Sequence, residues 1–375
     1  MMKKLLSCLA AVVTLFVLTQ ALAEEITVTA TETKIGENFI SYPQLEGMAD
    51  AAIQEKINSD IVMSANVSGM LMTLVTLDQQ TQHLMMDYDV CLLNDKVFSV
   101  IISTKGKQPQ KRDGHTWTAL SYDLSTGERL TLDQVFSDPD AAVVQMEEIA
   151  ESTLSEELNG YMEYSEIVPL PKDSFTLDET GITFWYPEEQ FSLFSGFSGA
   201  CQFWYEELEG FWRNDPTLEK TDSEIRETIS QAVISGAIPG VPVAMGQEMQ
   251  EIADAYRLLR TPDEFPGGRY FIMEDAQFRQ ILILSDSLYS GYDQSVVEGI
   301  QLRRGALGGL VVGDTAQSEW RQALGQPEKT VDFTENMAYD YNLPAGEYDV
   351  YRFGGNELRL HADENGVLCA VQLCK

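Results

Sequence analysis

A cluster of glycine and proline residues divides this chain into two parts. Residues 236–246 hold three glycines and two prolines, in the order Gly236, Pro239, Gly240, Pro242 and Gly246. These residue types interrupt helices and strands, so the cluster predicts a loop between folded units. The length of 375 residues also suits two or three domains. We therefore predict one domain at 24–215, a helix with a Gly/Pro-rich linker at 216–242, and a second domain at 243–375.

Strand-like and helix-like segments are mixed in the first part. Ile26 and Val28 alternate with threonines, as in a strand, and the run from Met70 to Leu77 is also interpreted as a strand. Asp138-Pro139 predicts a helix start, with aspartate as N-cap and proline at the first helical position. The pattern predicts an α+β fold in which helices pack on antiparallel sheets.

The second part contains a weak internal repeat. Val243-Ala244-Met245-Gly246 leads into one helical segment, and Leu310-Val311-Val312-Gly313 leads into another. Strand-like segments follow each helix. We interpret 243–375 as a tandem repeat of a helix plus a small antiparallel sheet.

The first residues have the pattern of a secretory signal peptide. Lys3 and Lys4 precede an apolar run from Leu5 to Leu18, and Ala21-Leu22-Ala23 forms a cleavage site. The run is shorter than the roughly 20 residues that span a bilayer. We expect residues 1–23 to be removed, the protein to be secreted or associated with the cell wall, and membrane contact only through the uncleaved signal peptide.

Charge excludes one class of partner. The chain has 59 acidic and 25 basic residues, a net charge of −34, so its surface would repel nucleic acid. Residues 133–190 alone hold fifteen acidic residues and one basic residue. Such a run either solvates the surface or attracts a cationic partner.

The residues that usually carry catalysis or bind metals are sparse. The three histidines, His83, His115 and His361, are far apart and lack the spacing of zinc motifs. Gly196-Phe197-Ser198-Gly199 is one residue short of a hydrolase nucleophile turn. We expect no catalytic residues, no metal site and no cofactor.

Four cysteines follow the signal peptide, and they permit two disulfides with three connectivities. The pairs considered are Cys91 with Cys201 and Cys369 with Cys374. Buried free thiols are the alternative, because a chain of this size does not need disulfides to fold.

Several short motifs in the first part resemble a known family. They are Tyr42-Pro43-Gln44, Tyr122-Asp123-Leu124-Ser125-Thr126-Gly127 and Phe184-Trp185-Tyr186-Pro187, followed by Gly199, Phe203, Tyr205, Glu207 and Leu208. In this order they resemble the extracytoplasmic domain of RsiV-like anti-sigma factors, a module that also precedes the catalytic domain of some peptidoglycan deacetylases. The resemblance covers residues 36–210. It implies recognition of a cell-wall enzyme or polymer outside the membrane.

The second part is similar, more loosely, to tandem helix-plus-sheet modules such as the secreted β-lactamase inhibitor protein. The pattern Gly313 … Leu324-Gly325-Gln326-Pro327 carries this likeness. The resemblance implies a protein-binding module without catalytic machinery.

Aromatic residues are dense between 184 and 212. Successive side chains of a strand point to opposite faces, so one aromatic face can be core, while the other is either covered or left for a partner. Trp and Tyr beside acidic residues are typical of interface anchors. The predicted binding residues are Trp185, Tyr186, Glu188, Glu189, Phe194, Trp204 and Tyr205.

Three functions remain open on the sequence alone. The first is an exported, non-catalytic protein that binds a cationic protein, such as a lysozyme-like hydrolase, or a cell-wall component. The alternative is a hydrolase of cell-wall glycan or peptide that uses carboxylates, which would require two acids with separated pKa values in a cleft. The third is a structural component of the cell surface.

Overall fold

The structure is a computed structural model. It describes residues 26–78, 82–107, 114–157, 169–186, 199–213, 221–256, 258–265, 268–273, 281–285, 295–335, 337–338 and 343–375, with side chains at 151–157, 255, 259–268 and 281–282 excluded. Helices and antiparallel strands are mixed throughout this part of the chain, which confirms the α+β prediction.

The first half forms one five-stranded sheet and one three-stranded sheet. The strands of the large sheet are β1 (Thr27–Ile35), β2 (Asn38–Glu46), β3 (Leu84–Leu93), β4 (Val97–Gly106) and β5 (Gly114–Asp123), in that order across the sheet. Those of the small sheet are β6 (Phe175–Leu177), β7 (Gly181–Trp185) and β8 (Ala200–Trp204). Helices α1 (Ala51–Ser64), α2 (Val67–Thr76), α3 (Leu132–Val135) and α4 (Pro139–Glu157) complete this half.

Helix α2 corrects one prediction. The run from Met70 to Leu77 was expected to be a strand, but it belongs to a helix whose buried side chains are Val67, Met70 and Leu74. Their spacing of three and four residues places them on one helix face. These side chains share a core with α1 and with the adjacent face of the five-stranded sheet. Tertiary burial therefore outweighs the strand-like composition of this segment.

Two buried serines join the large sheet to the small one. The hydroxyls of Ser99 and Ser121 lie 2.8 Å apart. Ser121 Oγ donates to the carbonyl of Phe175 at 3.1 Å, and Ser99 Oγ accepts from the amide of Leu177 at 2.8 Å. Both serines are less than 5% exposed. Because buried polar groups are costly without partners, this network fixes β6 against β4 and β5.

The second half forms one continuous sheet of eight strands. They are β9 (Leu258–Phe265), β10 (Gly268–Met273), β11 (Ile281–Ser285), β12 (Val297–Leu302), β15 (Lys329–Phe333), β16 (Gly346–Phe353), β17 (Asn356–Asp363) and β18 (Leu368–Cys374), with a short hairpin of β13 (Ala306–Leu307) and β14 (Leu310–Val311). The helices are α5 (Asp222–Ser235), α6 (Met249–Ala255) and α7 (Gln317–Leu324). The order across the sheet is β15-β16-β17-β18-β12-β11-β10-β9.

This order has the symmetry of two repeats. Each repeat is a helix followed by four antiparallel strands, and the last strands of the two repeats, β12 and β18, pair at the centre. The sequences of these two strands match, with Gly299-Ile300-Gln301-Leu302 against Ala370-Val371-Gln372-Leu373. The element order therefore places two units, each of one helix and four strands, in one continuous sheet.

The two matched glutamines mark the symmetry axis. Gln301 and Gln372 are register partners across the β12–β18 pair, and they are 0% and 2% exposed. The amide of Gly246 donates to the carbonyl of Val297 at 2.8 Å, and the amide of Gly313 donates to that of Leu368 at 2.7 Å. Equivalent contacts therefore tie the start of each repeat to its own last strand.

The predicted linker helix belongs to the second half. Ile229, Ala232 and Val233 on α5 are buried in the core of the eight-stranded sheet. Asn356 Nδ2 donates to the carbonyl of Val233 at 2.7 Å. Gly236 ends the helix with φ of 74°, a left-handed conformation that favours glycine. Helix α5 therefore packs with the second half and is not part of a linker between the halves.

One hydrophobic core contains residues of both halves. Ile101 and Ala119 of the five-stranded sheet, with Trp185 and Trp204 of the small sheet, pack in the same core as the eight-stranded sheet. Gly305 lies against the indole of Trp204, where an added Cβ would be 2.7 Å from three ring atoms. We call this contact region the joint. The apolar surface buried in the joint stabilises the contact between the two halves.

A buried ion pair completes the joint. Arg304 Nε donates to Glu207 Oε1 at 2.8 Å, and Arg304 Nη2 donates to Glu207 Oε2 at 2.9 Å. The two side chains are only 11% and 10% exposed. The guanidinium also lies over the rings of Phe203 and Trp204, at 5.2 and 5.9 Å from their centroids.

The cysteines are free in the described structure. Cys369 and Cys374 lie on the same strand, five residues apart, so their side chains leave opposite faces of β18, and a disulfide between them cannot form there. Cys91 packs against the joint core, whereas Cys201 lies in the core beneath the small sheet. The sequence left disulfides and free thiols as alternatives, and the structure has free thiols at Cys91, Cys201, Cys369 and Cys374.

His361 makes stability depend on pH. Its ring centroid lies 5.2 Å from that of Phe333 and 4.9 Å from that of Tyr348, and it is 4% exposed. Burial, with a smaller contribution from Arg359, lowers the pKa of His361 from 6.5 to about 3. Between these pH values the unfolded chain binds one more proton at this residue than the folded chain. Stability therefore falls as the pH drops through this window.

We expect His361→Phe to flatten that dependence. Below the unfolded pKa, the free energy of unfolding should no longer fall by about 1.4 kcal/mol per pH unit at this residue. Urea unfolding at a series of pH values from neutral to acidic measures it. His83→Gln, at an exposed position, is the control and should leave the slope unchanged. An unchanged slope in His361→Phe would contradict the assignment.

Candidate functional site

Three of the predicted binding residues are part of the protein interior. Trp185 and Trp204 are 8% and 2% exposed and belong to the core of the joint. Tyr186 is 4% exposed and lies in the core under the small sheet. These rings therefore cannot serve as surface anchors in this fold, which corrects their prediction. The aromatic face is covered by the second half of the same chain.

The remaining predicted residues have different outcomes. Glu188, Glu189 and Phe194 lie outside the described residues. Tyr205 is half-buried at the end of the small sheet. Its hydroxyl donates to the carbonyl of Asp178 at 2.8 Å, and its ring centroid lies 4.7 Å from that of Trp212. The ring of Tyr205 therefore has a fixed orientation beside an open cleft.

This cleft is the candidate site. It has a volume of about 760 Å³. Apolar and aromatic side chains of the lining are called the floor here, namely Leu92, Val97, Leu130, Val135 and Leu177 with Tyr205 and Trp212. Polar and charged side chains of the lining are called the rim, namely Asn94, Asp95, Lys96, Asp123, Ser125, Asp133, Gln134 and Arg213. A concave, mainly apolar surface with a few polar groups around it is typical of a ligand site.

Local hydrogen bonds hold the rim loops in place. Asn94 Oδ1 accepts from the amides of Lys96 and Val97, each at 2.8 Å. Asp123 Oδ1 accepts from the amide and hydroxyl of Ser125, at 2.7 and 2.6 Å. These are side-chain turns that Asn and Asp form readily. Two rim loops are therefore ordered by their own sequence.

The third rim segment is tied to the end of the first half. The Nε and Nη2 atoms of Arg213 donate to the carbonyl of Asp133, at 3.0 and 2.7 Å. The amide of Thr131 is satisfied by Gln134 Oε1 at 2.9 Å, which completes the cap of α3. The Asp133 carboxylate takes no part in these bonds and is exposed.

The surroundings of the cleft are negative. Its lining carries three carboxylates, Asp95, Asp123 and Asp133, and two cations, Lys96 and Arg213. Beyond the lining, burial together with the charges of Asp178, Glu206 and Glu179 raises the pKa of Tyr205. Such an arrangement favours a positively charged ligand.

The Tyr-Asp-Leu-Ser-Thr-Gly element has a structural role beside the cleft. Tyr122 Oη donates to Asp60 Oδ2 at 2.8 Å, and Arg129 Nε donates to the same oxygen at 2.7 Å. Lys56 Nζ donates to the carbonyl of Thr126 at 3.1 Å. The element therefore fastens α1 to the turn after β5, and its Asp123 and Ser125 contribute to the cleft rim.

The described residues hold no cluster of three or more His, Cys, Asp or Glu side chains that could bind a metal ion. Asp89, whose pKa is raised by burial and by Asp87, lies on β3 outside the cleft lining. No helix in the described ranges is long and apolar enough to cross a membrane.

Sequence reasoning identified one residue of the cleft, Tyr205, as a binding residue. The others come from five separate segments, and no spacing in the sequence connects them. Asn94-Asp95-Lys96 has the composition of a turn, and this is the signal that could have placed it at a strand end.

Comparisons with known proteins give no family assignment. No family model matches the chain, and no curated protein matches it. Among solved structures, the chain is similar to a DUF3298 family protein from Bacteroides fragilis, with 12% identity, a TM-score of 0.38, and coverage of 52% of this chain and 96% of that one. It is also similar to a DUF3298 family protein from Pseudomonas aeruginosa, with 12% identity, a TM-score of 0.35, and coverage of 52% of this chain and 98% of that one. A third similar structure is a DUF4309 family protein from Bacillus subtilis, with 11% identity, a TM-score of 0.26, and coverage of 40% of this chain and 96% of that one.

Proposed function

We propose that this protein is an exported, non-catalytic binding protein whose partner is a cationic protein of the cell wall, such as a lysozyme-like hydrolase. The signal-peptide pattern of residues 1–23 supports export. We include in the proposal that residues 36–210 form an RsiV-like module. The motif from Tyr122 to Gly127, which orders one side of the cleft rim, supports that likeness.

The observation that carries the proposal is the cleft itself. Its floor is apolar and its surroundings are acidic, and both features suit a protein surface that presents basic side chains. The net charge of −34 adds long-range attraction for any cationic partner. The preordered rim lowers the entropy that binding would cost.

Titration of the exported chain with a cationic lysozyme tests the proposal. We expect binding whose Kd rises by roughly tenfold or more between about 20 and about 500 mM salt, because the attraction is screened. An acidic protein of similar size is the control and should not bind at either salt concentration. Absence of lysozyme binding at low salt would refute the proposal. Binding only to purified wall polymer would show that the partner is the polymer and not a cationic protein.

A further inference from the structure

We propose that the cleft is a subsite for one lysine or arginine side chain of the partner. The inference rests on the proposed function, which supplies a cationic partner, and adds where its charge is received. The lining residues on which the inference rests all lie within the described ranges.

The floor suits the aliphatic part of such a side chain. Leu92, Val97, Leu130 and Val135 are half-buried, so each exposes part of its apolar surface to the cleft. Lysine and arginine carry three or four methylene groups that lie well on apolar surface while the charged end reaches polar groups. An anionic side chain has a shorter apolar stem and would bring its charge to an acidic rim.

The rim suits the charged end. The carboxylates of Asp95 and Asp133 are exposed, and within the described ranges neither carboxylate accepts a hydrogen bond. Tyr205 offers an aromatic ring at the same cleft, and its hydroxyl is already bonded to Asp178. A cation near carboxylates and an aromatic ring gains from both contacts.

The two cations of the lining differ in their position. Arg213 is tied to the carbonyl of Asp133 by two hydrogen bonds. The backbone amide of Lys96 donates to Asn94, and its side chain is exposed at the rim. Lys96 therefore adds a positive charge to the lining, which would repel an incoming cation. Whether Lys96→Gln strengthens or weakens binding is therefore informative.

The test uses the exported chain and two probes, a pentalysine peptide and the cationic lysozyme. We expect Asp95→Asn and Asp133→Asn each to weaken binding by roughly two- to fivefold, and Lys96→Gln to strengthen it by a similar factor. Asp332→Asn, which removes an equal charge at an exposed position on β15, should change binding by less than either rim variant. Thermal unfolding of each variant checks that the fold is retained.

The outcomes separate this inference from the proposed function. If lysozyme binds all variants equally, or if Lys96→Gln weakens binding, the cleft is not the cation subsite although the protein still binds cationic partners. If neither probe binds the parent chain at low salt, the proposed function fails and the subsite fails with it. Tighter binding of pentaglutamate than of pentalysine would also overturn the inference.

Discussion

Replacing Arg304 with alanine is expected to lower the free energy of unfolding by about 3–5 kcal/mol, because it would leave the Glu207 carboxylate buried without its charge partner. Glu207 accepts two hydrogen bonds from Arg304, and its side chain is 10% exposed. The guanidinium also donates to the carbonyl of Gln202 at 3.2 Å. The substitution therefore removes a charge pair and a backbone contact at the joint.

Two further variants make this prediction specific. Arg304→Met with Glu207→Leu removes both charges and should recover much of the loss, since a buried pair replaced by apolar residues is often close to neutral. Lys56→Ala removes the exposed pair of Lys56 with Glu128 and should cost less than about 1 kcal/mol. Urea unfolding measures all three. A loss in Arg304→Ala no larger than in Lys56→Ala would contradict the role of the joint.

The second large effect is expected at Asp349. This carboxylate is fully buried and accepts hydrogen bonds from Trp320 Nε1 at 3.0 Å, Arg321 Nε at 2.7 Å and Thr330 Oγ1 at 2.5 Å. It joins α7 to β15 and β16. Asp349→Ala should lower the free energy of unfolding by about 3–5 kcal/mol, because Trp320, Arg321 and Thr330 lose four hydrogen bonds and Arg321 is left with its pair to Glu347.

The same carboxylate should contribute to acid unfolding. Burial alone would raise its pKa, but the hydrogen bonds from Arg321, Thr330 and Trp320 outweigh burial and hold the pKa of Asp349 below its ordinary value of 3.8. The stabilisation is present above pH 3.8 and is lost as the pH falls through the lower folded value. Asp349→Asn should therefore remove this part of the loss of stability at acid pH. Asp332→Asn, on the neighbouring strand and exposed, is the control and should leave it in place.

Local patterns predicted several elements of the fold. The predicted helix start at Asp138-Pro139 agrees with α4, and the strand predicted from Ile26 and Val28 agrees with β1. These elements carry caps, turns or alternation that act within a few residues of the chain. The α2 segment has no such signal, since its apolar run fits either a strand or a buried helix.

The candidate site was mostly beyond the sequence. Trp185 and Trp204 were predicted to contact a partner, but the surface that covers them belongs to the same chain, as the contact of Trp204 with Gly305 demonstrates. Composition does not distinguish an internal interface from an external one. The cleft depends on how β3, β5, α3 and the segment of Trp212 meet in space. That geometry is a result of packing and leaves no pattern along the chain.

The central position of β18 constrains how the second half can be made. Residues 368–374 lie between β17 and β12, so they bridge the two repeats. Without them, the sheet would separate into a three-stranded and a four-stranded piece, each with an additional unpaired edge that could associate with other chains. We therefore expect the eight-stranded sheet to close only after β18 has been added, so that folding intermediates without this strand expose backbone edges on which other chains can polymerise.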